Sequence, residues 1–340
     1  MLSIGILGLP NVGKSTLFKT ITKKEIDISN YPFCTVEPNV GMAEVNDKRL
    51  NKLAGIQGAS SKTIPALVKF VDVAGLVKEA HKGEGLGNQF LAHLREVDAM
   101  IHIVRCFQKE DVSHISGKIE PKEDIEIIRE ELILKDLETI DKRMEKISKE
   151  ASKELELLNY LKEELEKGEI PEVEKESIKE LFLLSFKPQL YLLNGGDKDI
   201  KEDLKNYLKE KNLSWMMMDI GEELEKLELS EKERRELGME ELKIDSLIEE
   251  CRRILNLISY FTIKGDEETR SWLIEEGSTI LEGAGQIHSD FKDNFIKGEV
   301  LNWQKVVEIG SWKKCRELGL LKNVGKDYIL KEGDVIEIKI

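Results

Sequence analysis

A glycine-rich stretch near the N-terminus has the residue types that hold phosphate groups. It reads Gly8-Leu9-Pro10-Asn11-Val12-Gly13-Lys14-Ser15-Thr16, which fits the P-loop pattern G-x-x-x-x-G-K-[ST]. Glycines let the backbone approach closely, and the N–H groups of the loop and the following helix surround phosphate oxygens. We predict a nucleotide phosphate site formed by Asn11, Val12, Gly13, Lys14, Ser15 and Thr16. In it the catalytic Lys14 ammonium reaches the β and γ phosphates, and the Ser15 hydroxyl binds Mg²⁺.

A second set of magnesium-side residues lies further along the chain. Asp72 ends an apolar strand and begins the sequence Asp72-Val73-Ala74-Gly75. In a parallel α/β sheet an aspartate at this end of a strand lies beside the P-loop, so we expect Asp72 to bind Mg²⁺ through water. The N–H of Gly75 would contact the γ-phosphate. Thr35, in the proline-containing loop 30–39, would complete magnesium coordination when a γ-phosphate is present.

The sequence Asn194-Gly195-Gly196-Asp197 follows an apolar strand and stands where a base would be read. G proteins use Asn-Lys-x-Asp at this place, where the Asp accepts hydrogen bonds from guanine and the Lys stem packs over the ring. Here Gly195 replaces that lysine, so half of the guanine clamp is absent. We expect Asn194 to read the base and Asp197 to contribute.

Several motifs together resemble those of the YchF/Obg-like ATPase family, and the similarity covers nearly the whole chain, being weakest over about residues 150–250. The stretches that carry it are residues 8–16, 30–39, 72–78, 81–91, 104–107, 119–143 with its motif 131–134, 260–262, 287–291 and 325–329. The resemblance implies slow Mg²⁺-dependent hydrolysis of ATP, coupled to the ribosome, a ribosomal subunit or another translation component. Family members usually have Glu where this chain has Asp197, which leaves GTP as the alternative to ATP.

The residue that orients the attacking water is left open. Ras-like proteins have Gln directly after the Asp-x-x-Gly glycine, but this chain has Leu76, which has no polar side-chain atom. The resemblance makes His81 the candidate replacement. Asn11 offers a second route, because it resembles the P-loop asparagine of cation-activated G proteins, which helps hold K⁺ beside the phosphates. Such an ion would supply positive charge in the transition state.

A long helical insertion is predicted between residues 123 and 167, which contain helix formers and neither Gly nor Pro up to position 167. Apolar residues recur at steps of three and four, as in a coiled coil. The resemblance implies an antiparallel hairpin that reverses near residues 148–153. Its tip would gather basic residues that contact RNA, namely Lys142, Arg143, Lys146, Lys149 and Lys153. The alternative is an ordinary solvated face, because glutamates are interleaved with these residues.

We therefore predict an α/β fold, a P-loop NTPase (G-domain) with a parallel sheet, an inserted α-helical hairpin arm and a C-terminal β-grasp (TGS) domain. The NTPase domain would span residues 1–122 and 186–256. The coiled-coil-like insertion would span 123–185, and the TGS-like domain 257–340, which also is a candidate RNA contact. Strands are expected over residues 258–264, 269–274, 298–301 and 335–340.

Composition excludes several other classes of protein. The 340 residues carry a net charge of −14, so any nucleic-acid contact must come from a local basic patch. The four cysteines are far apart, which excludes a disulfide scaffold and a zinc ribbon. No apolar run is long enough for a membrane span, and no export signal is visible. We expect a cytoplasmic protein without a membrane partner.

Three functions remain on the sequence alone. The first is a ribosome-associated ATPase switch, with Mg²⁺ and possible K⁺ as its ions. The second is a GTPase of the same fold, favoured by Asp197. The third is a nucleotide-gated translation or RNA-binding module with incidental turnover, favoured by Leu76.

Overall fold

The structure, a computed structural model, describes residues 2–23, 31, 39–56, 62–73, 94–108, 118–147, 152–239, 242–265 and 267–340. The strands are β1 Ser3–Leu7, β2 Val40–Glu44, β3 Lys62–Ile64, β4 Leu67–Asp72, β5 Ala99–Arg105, β6 Gln189–Asn194, β7 Ser214–Met218, β8 Leu257–Lys264, β9 Glu268–Glu275, β10 Lys297–Asn302, β11 Lys322–Val324 and β12 Asp334–Lys339. The helices are α1 Lys14–Thr22, α2 Lys48–Gly55, α3 Pro121–Met144, α4 Ser152–Glu166, α5 Lys175–Ile178, α6 Glu202–Glu210, α7 Ile220–Lys226, α8 Glu231–Glu236, α9 Lys243–Ile254, α10 Ile280–Ile287, α11 Ser289–Asp293, α12 Trp303–Ile309 and α13 Trp312–Glu317.

The first sheet is the one that carries the P-loop. Its strand order is β2-β4-β1-β5-β6-β7, and every neighbouring pair is parallel except β2 with β4. All residues of β1 and β5 are buried, which explains their continuous apolar character, since helices cover both faces of such a sheet. The predicted P-loop NTPase sheet is confirmed.

The register of this sheet brings the candidate site residues to one edge. Ile6 of β1 pairs with Asp72 of β4, and Arg105 of β5 pairs with Asn194 of β6. Because the carboxyl ends of parallel strands meet at the same edge, the P-loop that follows β1 lies between Asp72 and Asn194.

The inserted arm is an antiparallel pair of helices, α3 and α4, as predicted. Its apolar seam contains Ile133, Ile140, Leu158, Leu161 and Leu165, and residues after α4, among them Ile178 and Leu183, pack on the same seam. Salt bridges of 2.7 Å between Arg143 and Glu154 and 2.6 Å between Lys162 and Asp141 join the two helices. Residues 148–151 of the predicted reversal lie outside the described residues. No helix in the described ranges is both long and apolar enough to cross a membrane.

The C-terminal module has a second mixed sheet with strand order β11-β10-β12-β8-β9-β3. Its strands β8, β9, β10 and β12 each lie within about one residue of the four predicted strands. Helix α10 packs its Ile280 against Tyr260 and Val300 of the sheet, and Thr279 and Glu282 form a capping box that begins the helix. The predicted β-grasp arrangement is confirmed.

One connection was not foreseen from the sequence. Between β2 and β4 the chain leaves the first sheet, forms α2, and adds β3 as a parallel edge strand beside β9 of the C-terminal module. Leu50 and Leu53 of α2 pack in the same cluster as Phe261 and Val306 of that module. Our domain boundaries assign residues 46–64 to the NTPase domain and stay a prediction, but this segment packs with the C-terminal sheet.

Candidate nucleotide site

The P-loop backbone needs glycine at two positions. A Cβ on Gly8 would lie 2.8 Å from the carbonyl oxygen of Ile103, which is too close for any side chain. Gly13 has a φ of 109° and a Cβ there would lie 2.6 Å from Nδ2 of Asn194. Both steric contacts and backbone angle therefore exclude larger residues at Gly13.

The N-terminus of α1 is arranged for an anion. The helix begins at Lys14 directly after the P-loop, without a side-chain cap and without an acidic residue in its first turn. Its first N–H groups have no partner within the helix and carry the positive end of the helix dipole. Ser15 and Asn11 are exposed at this surface, whereas the Val12 side chain is 1% exposed. Val12 can therefore contribute its backbone but not its side chain.

Lys14 is held close to its own loop. Its ammonium donates to the carbonyl oxygens of Gly8 at 2.9 Å and Leu9 at 2.8 Å. Burial lowers the pKa of Lys14 to about 8, and the nearby Asp72 carboxylate partly opposes that shift. The charged form is thus costly in the absence of an anion, and a phosphate beside it would restore the pKa.

Asp72 lies on the opposite side of the P-loop from the base loop. Burial raises the pKa of its carboxyl group, while the Lys14 charge lowers it. Its N–H donates to the carbonyl of Asn39 at 2.8 Å. The structure therefore brings Lys14 and Asp72 together, as expected. Thr35, Gly75, Leu76 and His81 lie outside the described residues.

The donor chemistry at this edge fits magnesium. Mg²⁺ prefers oxygen ligands and, in nucleotide sites, takes one or two from side chains and the others from phosphates and water. The Ser15 hydroxyl and the Asp72 carboxylate are ligands of this kind. Among the described residues, no group of three His, Cys, Asp or Glu side chains stands ready to hold a metal alone.

Asn194 ties two loops of the site together. Its side chain is buried, with Nδ2 donating to the Val12 carbonyl at 2.8 Å and Oδ1 accepting from the Ile220 N–H at 3.1 Å. The expectation that Asn194 reads the base stays a prediction. The bracing role was missed by sequence reasoning, because a pattern of residue types does not show which hydrogen bonds a side chain already makes.

The loop after Asn194 is closed by Asp199, a residue that the sequence did not single out. Oδ2 of Asp199 accepts from the Gly196 N–H at 2.9 Å. A Cβ on Gly195 would lie 3.2 Å from Cβ of Asp199 and 3.3 Å from the backbone nitrogen of Phe107. A lysine side chain at position 195 would therefore crowd Asp199. The Asp197 side chain is exposed.

The end of β5 forms the wall next to this loop. The Arg105 guanidinium is buried, lies 4.6 Å from the Phe107 ring centroid, and donates through Nε to the Phe107 carbonyl at 3.2 Å. The N–H of Cys106 donates to the Asn194 carbonyl at 2.9 Å. Burial raises the pKa of the Cys106 thiol to about 12, so it is not a nucleophile at neutral pH.

The basic arm tip is only partly described. Lys142, Arg143, Lys146 and Lys153 are exposed, while Lys149 lies outside the described residues. Arg143 is paired with Glu154, and Lys142 lies 3.9 Å from Glu138. A groove of about 590 Å³ runs beside the tip, with walls that include Arg95, Lys142, Lys146 and Phe182. Interleaved acidic partners reduce the local positive charge, as the solvated-face alternative expects.

Comparisons with known proteins agree across the whole chain. Residues 3–159 match the family model of a 50S ribosome-binding GTPase, and residues 257–340 match the C-terminal domain model of YchF GTPases, described as a protein of unknown function. The chain is 40% identical over 363 residues to the ribosome-binding ATPase YchF of Bacillus subtilis, covering 99% of each. It is 38% identical to the Escherichia coli O157:H7 protein of the same name, covering 98% of this chain and 97% of that one. The structure of Schizosaccharomyces pombe YchF GTPase matches with a TM-score of 0.82 and 31% identity, covering 99% of this chain and 97% of that one.

Proposed function

This chain belongs to the YchF family, and on that premise we propose that it is a ribosome-associated switch protein that binds and slowly hydrolyses ATP with Mg²⁺. Its relatives are named ribosome-binding ATPases, which supports a nucleotide hydrolase that binds the ribosome. The observation that carries the proposal is the P-loop itself, with the Lys14 ammonium on its inner side and Asp72 beside it.

The site residues that the structure describes have distinct tasks in this reaction. The N–H groups of the P-loop and of α1 bind phosphate oxygens, and Lys14 turns part of its hydrogen bonding from Gly8 and Leu9 to the β and γ phosphates. Ser15 and, through water, Asp72 would hold Mg²⁺, which when bound would neutralise charge on those phosphates. Asn194 keeps the P-loop in register with the base loop. Whether His81 or a K⁺ ion beside Asn11 assists the attacking water stays a hypothesis.

ATP is the proposed substrate because the side chain that covers guanine in G proteins is absent at Gly195, where a Cβ would already lie close to Asp199 and Phe107. GTP is the second candidate. Asp197 favours it, and so does the GTPase description of the matching family model. A nucleotide-gated module with incidental turnover is the third, and a rate strongly stimulated by ribosomes would argue against it.

Equilibrium binding decides between the first two. Labelled ATP and GTP are titrated into the full chain, with and without Mg²⁺, and each is competed with the other unlabelled nucleotide. We expect tighter binding of ATP, strengthened by Mg²⁺. Preference for GTP would move the assignment to the GTPase, and no binding of either nucleotide would refute the proposed function.

A further inference from the structure

Tyr31 joins the antiparallel strand pair β2 and β4 to the C-terminal module. Its side chain is 5% exposed and lies in an apolar cluster with Met42, Ile64 and Leu67. Its hydroxyl donates to the Pro65 carbonyl at 2.9 Å. Tyr31 is therefore fixed to the turn from which β4 starts.

The residue that faces Tyr31 from the C-terminal module is Arg270 on β9. Its guanidinium carbon lies 5.3 Å from the Tyr31 ring centroid and 4.4 Å from that of Trp272, both within the range of cation–π attraction. Arg270 also pairs with Ile64 in the ladder between β3 and β9. The neighbouring Ser271 accepts a buried hydrogen bond from the Ala66 N–H at 2.8 Å. Strand β9 thus holds the starting end of β4 by side chain and backbone.

The other end of the same strand pair reaches the nucleotide site. Val40 pairs with Val71 and Glu44 with Leu67, so β2 and β4 are paired along their length. At the far end, the Asp72 N–H bonds to the Asn39 carbonyl. Strand β4 runs without a break from Leu67, close to Pro65, to Asp72, and its ladder with β2 fixes its register over this length. We therefore expect a displacement at Pro65 to reach Asp72.

We propose that Arg270 is a positioning residue for the magnesium side of the nucleotide site, acting through Tyr31 on strand β4, which ends at Asp72. This assignment rests on the proposed nucleotide hydrolysis. The phosphate side of the site is built from the P-loop and α1, and none of the Arg270 side-chain contacts given above is with a residue of either. Loss of the Arg270 charge therefore raises the Mg²⁺ concentration needed for hydrolysis and slows ATP turnover. It leaves the affinity for ATP in the absence of Mg²⁺ unchanged.

Arg270→Gln keeps the aliphatic stem and removes the charge. We expect a single-turnover ATP hydrolysis rate reduced roughly two- to tenfold and a half-saturating Mg²⁺ concentration raised by a similar factor. Arg270→Lys retains a cation, so we expect it to restore most of the hydrolysis rate and most of the Mg²⁺ dependence. The matched control is Lys322→Gln, because Lys322 makes an equivalent contact with the Tyr328 ring at 5.2 Å on the opposite edge strand of the same sheet. It leaves both quantities unchanged.

A double-mutant cycle with Tyr31→Leu tests the route. If Arg270 acts through Tyr31, the double variant is no slower than Tyr31→Leu alone. Additive losses, or a wild-type rate and magnesium dependence for Arg270→Gln, would overturn the proposal. If Arg270→Gln does not fold, Tyr31→Leu is measured alone, because it removes the ring that Arg270 contacts, and an unchanged rate and magnesium dependence there would overturn the proposal equally. Absence of nucleotide binding by the wild-type chain would instead refute the proposed function.

Discussion

At the scale of a single residue, Lys14 both hydrogen-bonds its own loop and holds a positive charge in a partly desolvated place. An ammonium has three N–H donors, and two of them go to carbonyls of its own loop at 2.9 Å and 2.8 Å. Those bonds fix the side chain before any nucleotide binds, so little rotamer entropy remains to be lost on binding. The cost is a partly desolvated charge, which appears as the lowered pKa.

Because of this desolvation, titration of Lys14 changes the free energy of unfolding and the ATP affinity in opposite directions as the pH rises. The folded pKa of about 8 lies below the usual 10.5 of the unfolded chain. Between these values the unfolded state binds more protons, so the free energy of unfolding rises with pH, by up to about 1.4 kcal/mol per pH unit. ATP affinity falls over the same range, because the ammonium is lost. Urea unfolding and ATP titration at several pH values measure both, and Lys14→Met should lack both trends.

A second residue-scale prediction concerns the brace made by Asn194. Asn194→Ala leaves the Val12 carbonyl and the Ile220 N–H buried without their partner, which we expect to cost about 1–3 kcal/mol of unfolding free energy. ATP affinity should fall as well, since the P-loop loses its link to the base loop. Asn323→Ala is the control, because the exposed Asn323 side chain accepts a bond from the exposed Lys297 ammonium and its loss should change stability by less than about 0.5 kcal/mol. Equal effects of the two substitutions would contradict the bracing role.

At the scale of elements, the helices of the arm were predictable because their signal is local, whereas the reversal between them rested on the family resemblance. Steps of three and four between apolar residues placed Ile133, Ile140 and Leu158 on one seam, and all three are buried there. The tip charges were equally visible, but not the pairing of Arg143 with Glu154 across the hairpin. Exposed pairs of this kind contribute roughly 0–1 kcal/mol, so the pair affects the local charge more than the stability.

The RNA-contact hypothesis for the arm can be tested by charge reversal. We expect Lys142, Lys146 and Lys153 changed together to Glu to weaken ribosome binding and to reduce its salt dependence, since each lost phosphate contact lowers the slope by about one. The control changes three exposed lysines near α6, Lys201, Lys209 and Lys211, to Glu, which gives the same net charge. Cosedimentation at several salt concentrations is the measurement. Matching results for the two triple variants would exclude the arm tip as a contact.

At the scale of the whole molecule, the segment between β2 and β4 joins the two sheets. Leu53, fully buried among residues of the C-terminal module, is central to that joint. We expect the wild-type chain to unfold in a single calorimetric transition and Leu53→Ala, at a cost of about 2–5 kcal/mol, to separate it into two. Leu208→Ala, equally buried but within the first sheet's own packing, should lower the transition temperature without splitting the transition.

The sequence predicted the residues whose roles depend on local order and missed those whose roles depend on distant partners. Gly8, Gly13 and Lys14 belong to one short pattern, and Asp72 reaches them through the general geometry of parallel sheets. Asp199, Arg105 and the bracing bonds of Asn194 became visible only with the loops in place. Strand β3 was missed because three residues give no periodicity, and because no pattern along a chain names the sheet that a strand joins.

The segment from α2 to β3, which packs against the C-terminal module, has a consequence for biosynthesis. The amphipathic face of α2 is made early in translation, whereas Phe261 and Val306, which cover it, are made much later. Until then the nascent polypeptide exposes Leu50 and Leu53 and an unpaired strand edge, both of which favour aggregation. A protein fragment that ends before residue 257 would leave Leu50, Leu53 and the strand edge permanently exposed. We expect it to be insoluble even though its P-loop is intact.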